Sequence, residues 1–152
     1  MIYEIESIDE LEELINNREY VDNLIIDMDH NVNHLLCNLT NLTYLEFDFE
    51  YNQPTDLSAL SNLKYLRFGE KYDQITDLSS LSNLQCLEFK WKYKQVTNLS
   101  LLSNLTYLSF GLEYNQPTDL SNCKKLKELD FSNIEKLDLS TYRKGIFKKK
   151  LK

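Results

Sequence analysis

The sequence predicts an α/β fold: a right-handed solenoid with a parallel β-sheet on its concave face, 3₁₀ or helical turns and loops on its convex side, and an N-terminal helical cap. Three observations carry this. Apolar side chains recur every 21 residues, two of them in each unit alternate as strand residues do, and only three Gly and two Pro interrupt the 152 residues. A fixed period of this length is the mark of a repeat architecture, in which each unit buries its apolar face only against its neighbours.

The columns are explicit. Leu42, Leu63, Leu84, Leu105 and Leu126 define position 1 of the unit. Leu45, Leu66, Leu87, Leu108 and Leu129 follow at position 4, and Phe47, Phe68, Phe89, Phe110 and Phe131 at position 6. Spacing of two puts positions 4 and 6 on one face of a short strand. Leu57, Leu78, Leu99 and Leu120 form position 16; Leu60, Leu81, Leu102 and then Cys123 form position 19. Spacing of three suits a tight helical or 3₁₀ turn. Asp56, Asp77, Asn98 and Asp119 stand just before it, where an Asx side chain accepts backbone N–H groups. Parallel crossovers are right-handed, and so is the expected coil.

The chain divides into residues 1–20 as cap, 21–140 as about six repeats, and 141–152 as a basic cap or tail, all in one domain spanning 1–152. In the cap, Ile2–Ile5 reads as a strand. Ser7 with Glu10 three residues later reads as a capping box opening a helix whose Ile8, Leu11, Leu14 and Ile15 share a face. Val21, Leu24, Ile26, Leu36 and Leu39 fit a degenerate first repeat, with His30 in a column otherwise held by Tyr51, Tyr72, Tyr93 and Tyr114. The last unit compresses to Phe131, Ile134, Leu137 and Leu139, and Tyr142, Ile146, Phe147 and Leu151 are expected to cover it.

The motif L-x-x-L-x-F/L at this period is that of leucine-rich repeats. Leu63-Lys-Tyr-Leu66-Arg-Phe68-Gly69-Glu-Lys-Tyr72-Asp-Gln-Ile75 and Leu105-Thr-Tyr-Leu108-Ser-Phe110-Gly111-Leu-Glu-Tyr114-Asn-Gln-Pro117 resemble the FNIP repeat, typical of social amoebae and of giant viruses that infect them. Thr76-Asp-Leu-Ser-Ser-Leu-Ser-Asn-Leu84 is similar to the inter-strand segment of internalin-type repeats. The resemblance implies an inward-packing Tyr column and an amoebal or viral host-interaction protein. One departure matters: where leucine-rich repeats carry a ladder Asn, this chain has Glu50, Lys71, Lys92 and Glu113. The Gln column (Gln53, Gln74, Gln95, Gln116) and the Asn of Tyr-Asn-Gln compete for its role.

Charge and cysteine usage narrow the function. Net charge is −7, yet Arg143–Lys152 holds six of the 17 basic residues and no acid, leaving 11 − 24 = −13 for the remainder. An acidic body is a poor match for nucleic acid, whose phosphates need Lys and Arg; only the tail suits RNA or anionic lipid. No stretch approaches the roughly 18 apolar residues of a membrane span, and the acidic N-terminus is not a signal peptide. Cys37, Cys86 and Cys123 are odd in number and far apart, which favours a cytoplasmic location (host cytoplasm for a viral protein).

No catalytic or metal site and no cofactor is expected. His30, His34 and Cys37 have zinc-like spacing, but each occupies a repeat column and a fourth ligand is lacking. Cys86 is expected on the exposed face and Cys123 in the core, neither beside a base. The informative surface is the concave one, where positions 3, 5 and 7 alternate with the core. Tyr44, Glu46, Tyr65, Arg67, Glu88, Lys90 and Tyr107, with Trp91 at a strand end, form the candidate partner-binding set. Exposed Tyr and Trp are enriched at interfaces, and mixed charges suit a protein partner. The alternative reading makes the rings a cover for the sheet. The expected function is a non-enzymatic protein-interaction module; the alternative is a self-assembling structural repeat protein forming a homo-oligomer.

Overall fold

A computed structural model describes residues 1–17 and 20–131. Its seven strands are β1 (Tyr3–Ile5), β2 (Asn23–Ile26), β3 (Tyr44–Phe47), β4 (Tyr65–Phe68), β5 (Cys86–Phe89), β6 (Tyr107–Phe110) and β7 (Glu128–Phe131). They form one parallel sheet in sequence order, each paired with its neighbours in the chain. The register follows the 21-residue frame: Leu24 meets Leu45, Leu45 meets Leu66, and Leu87 meets Leu108. Ile134, Leu137, Leu139 and the residues expected to cover the last repeat lie outside the described residues.

Two helices interrupt the pattern, α1 (Ile8–Asn16) and α2 (Asn33–Leu36). Leu11 and Leu14 of α1 are buried, with Ile8 and Ile15 partly so, and the helix packs against β1 and α2. The Ser7 hydroxyl accepts from the Glu10 amide at 3.3 Å, but Glu10 Oε2 accepts from the amide of Glu6, at 3.0 Å. The capping box is thus shifted by one residue relative to the expected return to Ser7.

On the convex side the regular repeats make turns instead of helices. Leu60 N bonds Leu57 O and Leu63 N bonds Leu60 O, both at 3.0 Å, and later repeats do the same. These i→i+3 steps keep Leu57, Leu60 and Leu63 inward. Asp56, Asp77, Asn98 and Asp119 each start the turn by accepting the amide two residues on, at 2.8–3.0 Å. Such Asx turns offer the backbone a bond that competes with a full helix.

The core has two layers. Strand Leu and Phe side chains meet the convex leucines; Phe47, Phe68, Phe89 and Phe110 of position 6 stack in series, as with Phe47 and Phe68 at 5.1 Å, and Phe131 meets Phe110 edge-on. Each of the four stacked Phe rings also lies on the Tyr four residues later: Phe68 on Tyr72 at 3.9 Å, Phe89 on Tyr93 at 3.8 Å. The Tyr column is therefore core, as the resemblance implied. Its hydroxyls meet buried Thr side chains four residues further on (Tyr72 to Thr76, 2.6 Å), and each Thr donates in turn to a Gln carbonyl. No buried side-chain N or O among the described residues lacks a hydrogen-bond partner.

The ladder that replaces the missing Asn lies directly after that Tyr. Asn52 Oδ1 accepts the Asp73 amide at 2.9 Å, and Asp73 Oδ1 accepts the Lys94 amide at 2.8 Å. Gln74 and Gln95 add their side-chain amides to the same two oxygens. Lys94 has no acceptor and ends the series, so Gln116 bonds its own neighbour Asn115.

Candidate functional site

The concave face is built by strand residues that alternate with the core. Parallel pairing sets Tyr44 beside Tyr65 and Glu46 beside Arg67. The two rings stack with centroids 4.4 Å apart and planes 8° from parallel. Arg67 binds Glu46 at 2.7 Å, and the Tyr44 hydroxyl donates to the same carboxylate. One strand on, Glu88 accepts from the Tyr65 hydroxyl at 2.9 Å and pairs with Lys90 at 2.7 Å. Six of the eight expected site residues thus form one network across β3, β4 and β5.

Its electrostatics follow from partial burial. Desolvation and the Glu46 carboxylate push the Tyr44 hydroxyl up to about 12, and burial with Glu88 pushes Tyr65 up further. Burial works against the charge of Glu88, yet Lys90, Tyr65 and Arg67 outweigh it and hold the carboxyl below its ordinary value. The Glu88 side chain is only 14% exposed. Glu88 is therefore a hub bonded on two sides, and the freely solvated position suggested by strand alternation is corrected.

The remaining two residues stand apart. Tyr107 pairs in register with Cys86, so a thiol separates it from Tyr65 and the tyrosine column splits into a pair and a single ring. Trp91 lies beyond the end of β5 and is 51% exposed. Phe49 and Leu112, at the same repeat position after β3 and β6, are 47% and 45% exposed. Lys71 sits 5.5 Å over the Phe49 ring. With Trp91 these two make an exposed apolar ridge along the strand ends, broken by Glu70 at the same repeat position after β4.

The cysteines and histidines take ordinary places. Cys86 is half-buried, which corrects its expected exposure; burial and Glu88 push its thiol up to about 12. Burial raises Cys123 to about 11. Neither supplies a thiolate at neutral pH. Cys37 donates to the His34 carbonyl at 3.3 Å. Among the described residues no group of three His, Cys, Asp or Glu is arranged to hold a metal ion, and no helix is long and apolar enough to cross a membrane.

Neither a protein-family model nor a curated protein matches the sequence. Among solved structures, an internalin from Listeria monocytogenes resembles this chain with a TM-score of 0.53 and 18% identity, over 84% of this chain and 45% of that one. The likeness shows the fold, that of leucine-rich repeats. The chain spans less than half the length of that internalin.

Proposed function

We propose that this chain is a non-catalytic protein-interaction module that receives a protein partner on the concave face, through Tyr44, Glu46, Tyr65, Arg67, Glu88, Lys90, Tyr107 and Trp91. One observation carries the reading: a preorganised aromatic and ionic network lies beside an exposed apolar ridge that contributes little to the core. Side chains already held by stacking and hydrogen bonds lose little freedom on binding. Half-exposed Trp and Phe supply the apolar anchors that dominate interface energetics.

The same reading takes the coil as right-handed, α1 as its N-terminal cap, and residues 1–152 as one domain of the FNIP type, serving a host-interaction role in a reducing cytoplasm. Its free thiols, with Cys37 exposed, suit that compartment.

The test is capture of a partner by the immobilised full chain, comparing Trp91→Ala and Tyr65→Ala with the unaltered protein. Loss of a hot-spot side chain, at about 2 kcal/mol or more, weakens binding at least ten-fold. Trp91→Ala leaves the urea midpoint unchanged because the ring is exposed. Tyr65→Ala also lowers the midpoint, since Tyr65 stacks on Tyr44 and bonds Glu88. Undiminished capture by Trp91→Ala and Tyr65→Ala together would overturn the concave-face assignment.

A further inference from the structure

Charge is unevenly spread over the concave face. Residues 1–48 contain 12 acids and, of Lys and Arg, only Arg18, so the β1–β3 end of the sheet is short of positive charge. Arg67, on β4, is already bound to Glu46, and Lys90 to Glu88. Glu4, Asp27 and Asp48 have no ion pair among the described residues. Like charges crowded on one face repel, and a cation relieves them.

Ile25 is the centre of that end. Its register partners are Glu4 on β1 and Glu46 on β3, one strand step of about 4.8 Å to either side. Asp27 stands two residues further along the same face, roughly 6.6 Å on. It lies against Asp48 of β3; burial and the Asp48 carboxyl both push Asp27 up. From β1, Glu4 and Glu6 are the nearest charged residues, on either side of the Ile5 that meets Ile26. Tyr44 forms the wall on the β3 side. One face of its ring is taken by Tyr65, stacked at 4.4 Å. The other looks over β2, where its register partner is Asn23.

An apolar floor, an aromatic wall and two adjacent carboxylates suit a long cationic side chain. Its methylenes lie on the floor, its flat head stacks on the ring, and its N–H fork serves two acceptors. Arginine has all three features, whereas the lysine ammonium is a point charge without the fork. Resting on the concave-face reading above, we infer that the strip over β2, with Ile25 between Tyr44 and the Asp27–Asp48 pair, receives an arginine side chain from a protein partner. The guanidinium ends the repulsion between the two carboxylates and leaves the Tyr44, Glu46 and Arg67 network intact beside it. Trp91 follows β5, three strand steps or about 14 Å from β2. A partner that covers both therefore presents an apolar group and an arginine at about that separation.

The probe is the peptide acetyl-Ser-Gly-Arg-Gly-Ser-amide, with Lys and Gln versions at its centre, titrated into the isotope-labelled full chain and followed by NMR. The arginine peptide is expected to give saturable shifts at the Ile25 methyls, the Tyr44 ring and the Asp27 and Asp48 carboxyl carbons. It should also bring the raised Asp27 titration down, because a bound cation favours the charged carboxylate. The lysine peptide should bind about five-fold more weakly or worse for want of the fork, and the glutamine peptide should give no shifts. Asp27→Asn with Asp48→Asn keeps side-chain size, removes the repulsion and should weaken the arginine peptide at least ten-fold. Asp56→Asn with Asp77→Asn, which retain the oxygens that accept in their turns, should leave it unchanged. Equal affinity for the arginine and lysine peptides, or an unmoved Asp27 titration, would overturn the inference. So would the same carboxyl shifts with calcium ion alone, which would make the pair a metal site. So would shifts that grow with the chain's own concentration, which would make a second copy the occupant. If the peptide results fail while Trp91→Ala still weakens partner capture, the concave-face reading stands and the arginine subsite alone is wrong.

Discussion

At the scale of single residues, the polar columns show how one side chain breaks a series. Asn52 and Asp73 each accept a backbone amide from the next repeat. Lys94, in the same column, gives that bond up for an ion pair with Glu113 at 2.7 Å, between side chains 50% and 36% exposed. An ion pair that exposed is worth little, whereas a hydrogen bond to a backbone amide contributes about 1 kcal/mol. Lys94→Asn is therefore expected to stabilise the chain by about that amount, raising the urea midpoint with an unchanged slope. An unchanged or lowered midpoint would show that the ladder does not extend to Asn115.

At the scale of elements, two glycines decide how closely neighbouring turns approach. A Cβ on Gly69 would lie 2.0 Å from the carbonyl oxygen of Asp48, and one on Gly111 would lie 2.2 Å from that of Lys90. The pairing of β3 with β4 ends at Glu46–Arg67 and that of β5 with β6 at Glu88–Ser109. Where the incoming repeat carries Asp48 or Lys90 instead of glycine, pairing continues to the Phe. Glycine thus lets every second turn close onto backbone that cannot move aside. Gly69→Ala should cost about 1–3 kcal/mol, the usual range for overpacking. Asp48→Ala, the exposed counterpart one repeat earlier, should cost no more than about 0.5 kcal/mol. Equal losses in thermal unfolding would show that the close approach relaxes freely.

At the scale of the whole molecule, the aromatic column runs through the stack from Tyr51 to Tyr114, each ring on that of the neighbouring repeat. Burial raises all four hydroxyls above the ordinary value of 10, Tyr51 to about 12. A group whose folded pKa is raised keeps its full stabilising contribution below the unfolded pKa and loses it as pH rises toward the folded one. The chain should therefore hold its stability to about pH 10 and lose it above. Each proton retained only by the folded state contributes a slope of about 1.4 kcal/mol per pH unit. Phenolate absorbance and far-ultraviolet dichroism should change together in a steep alkaline transition. Smooth titration of all tyrosines before any loss of strand signal would contradict a buried ladder.

Much of this was legible because a solenoid is a local architecture. A strict 21-residue period with Leu and Phe two residues apart determines a strand, its register and its inward face, since every contact is with the neighbouring copy. The N-terminal helix and the Asx turns were readable for the same reason: their caps lie within three residues of what they cap. What only the tertiary structure decided concerns side chains with several available partners. Sequence alternation put Glu88 and Cys86 on the open face, but neighbouring side chains half-bury Cys86, cover most of Glu88 and bond Glu88 to Tyr65 and Lys90. It also left Asn and Gln competing for the ladder; the fold makes the Asx oxygen the acceptor and the Gln amide a second donor to it. Lateral partners across about 4.8 Å of sheet depend on which rotamers neighbouring columns leave open, and a one-dimensional period does not encode that choice.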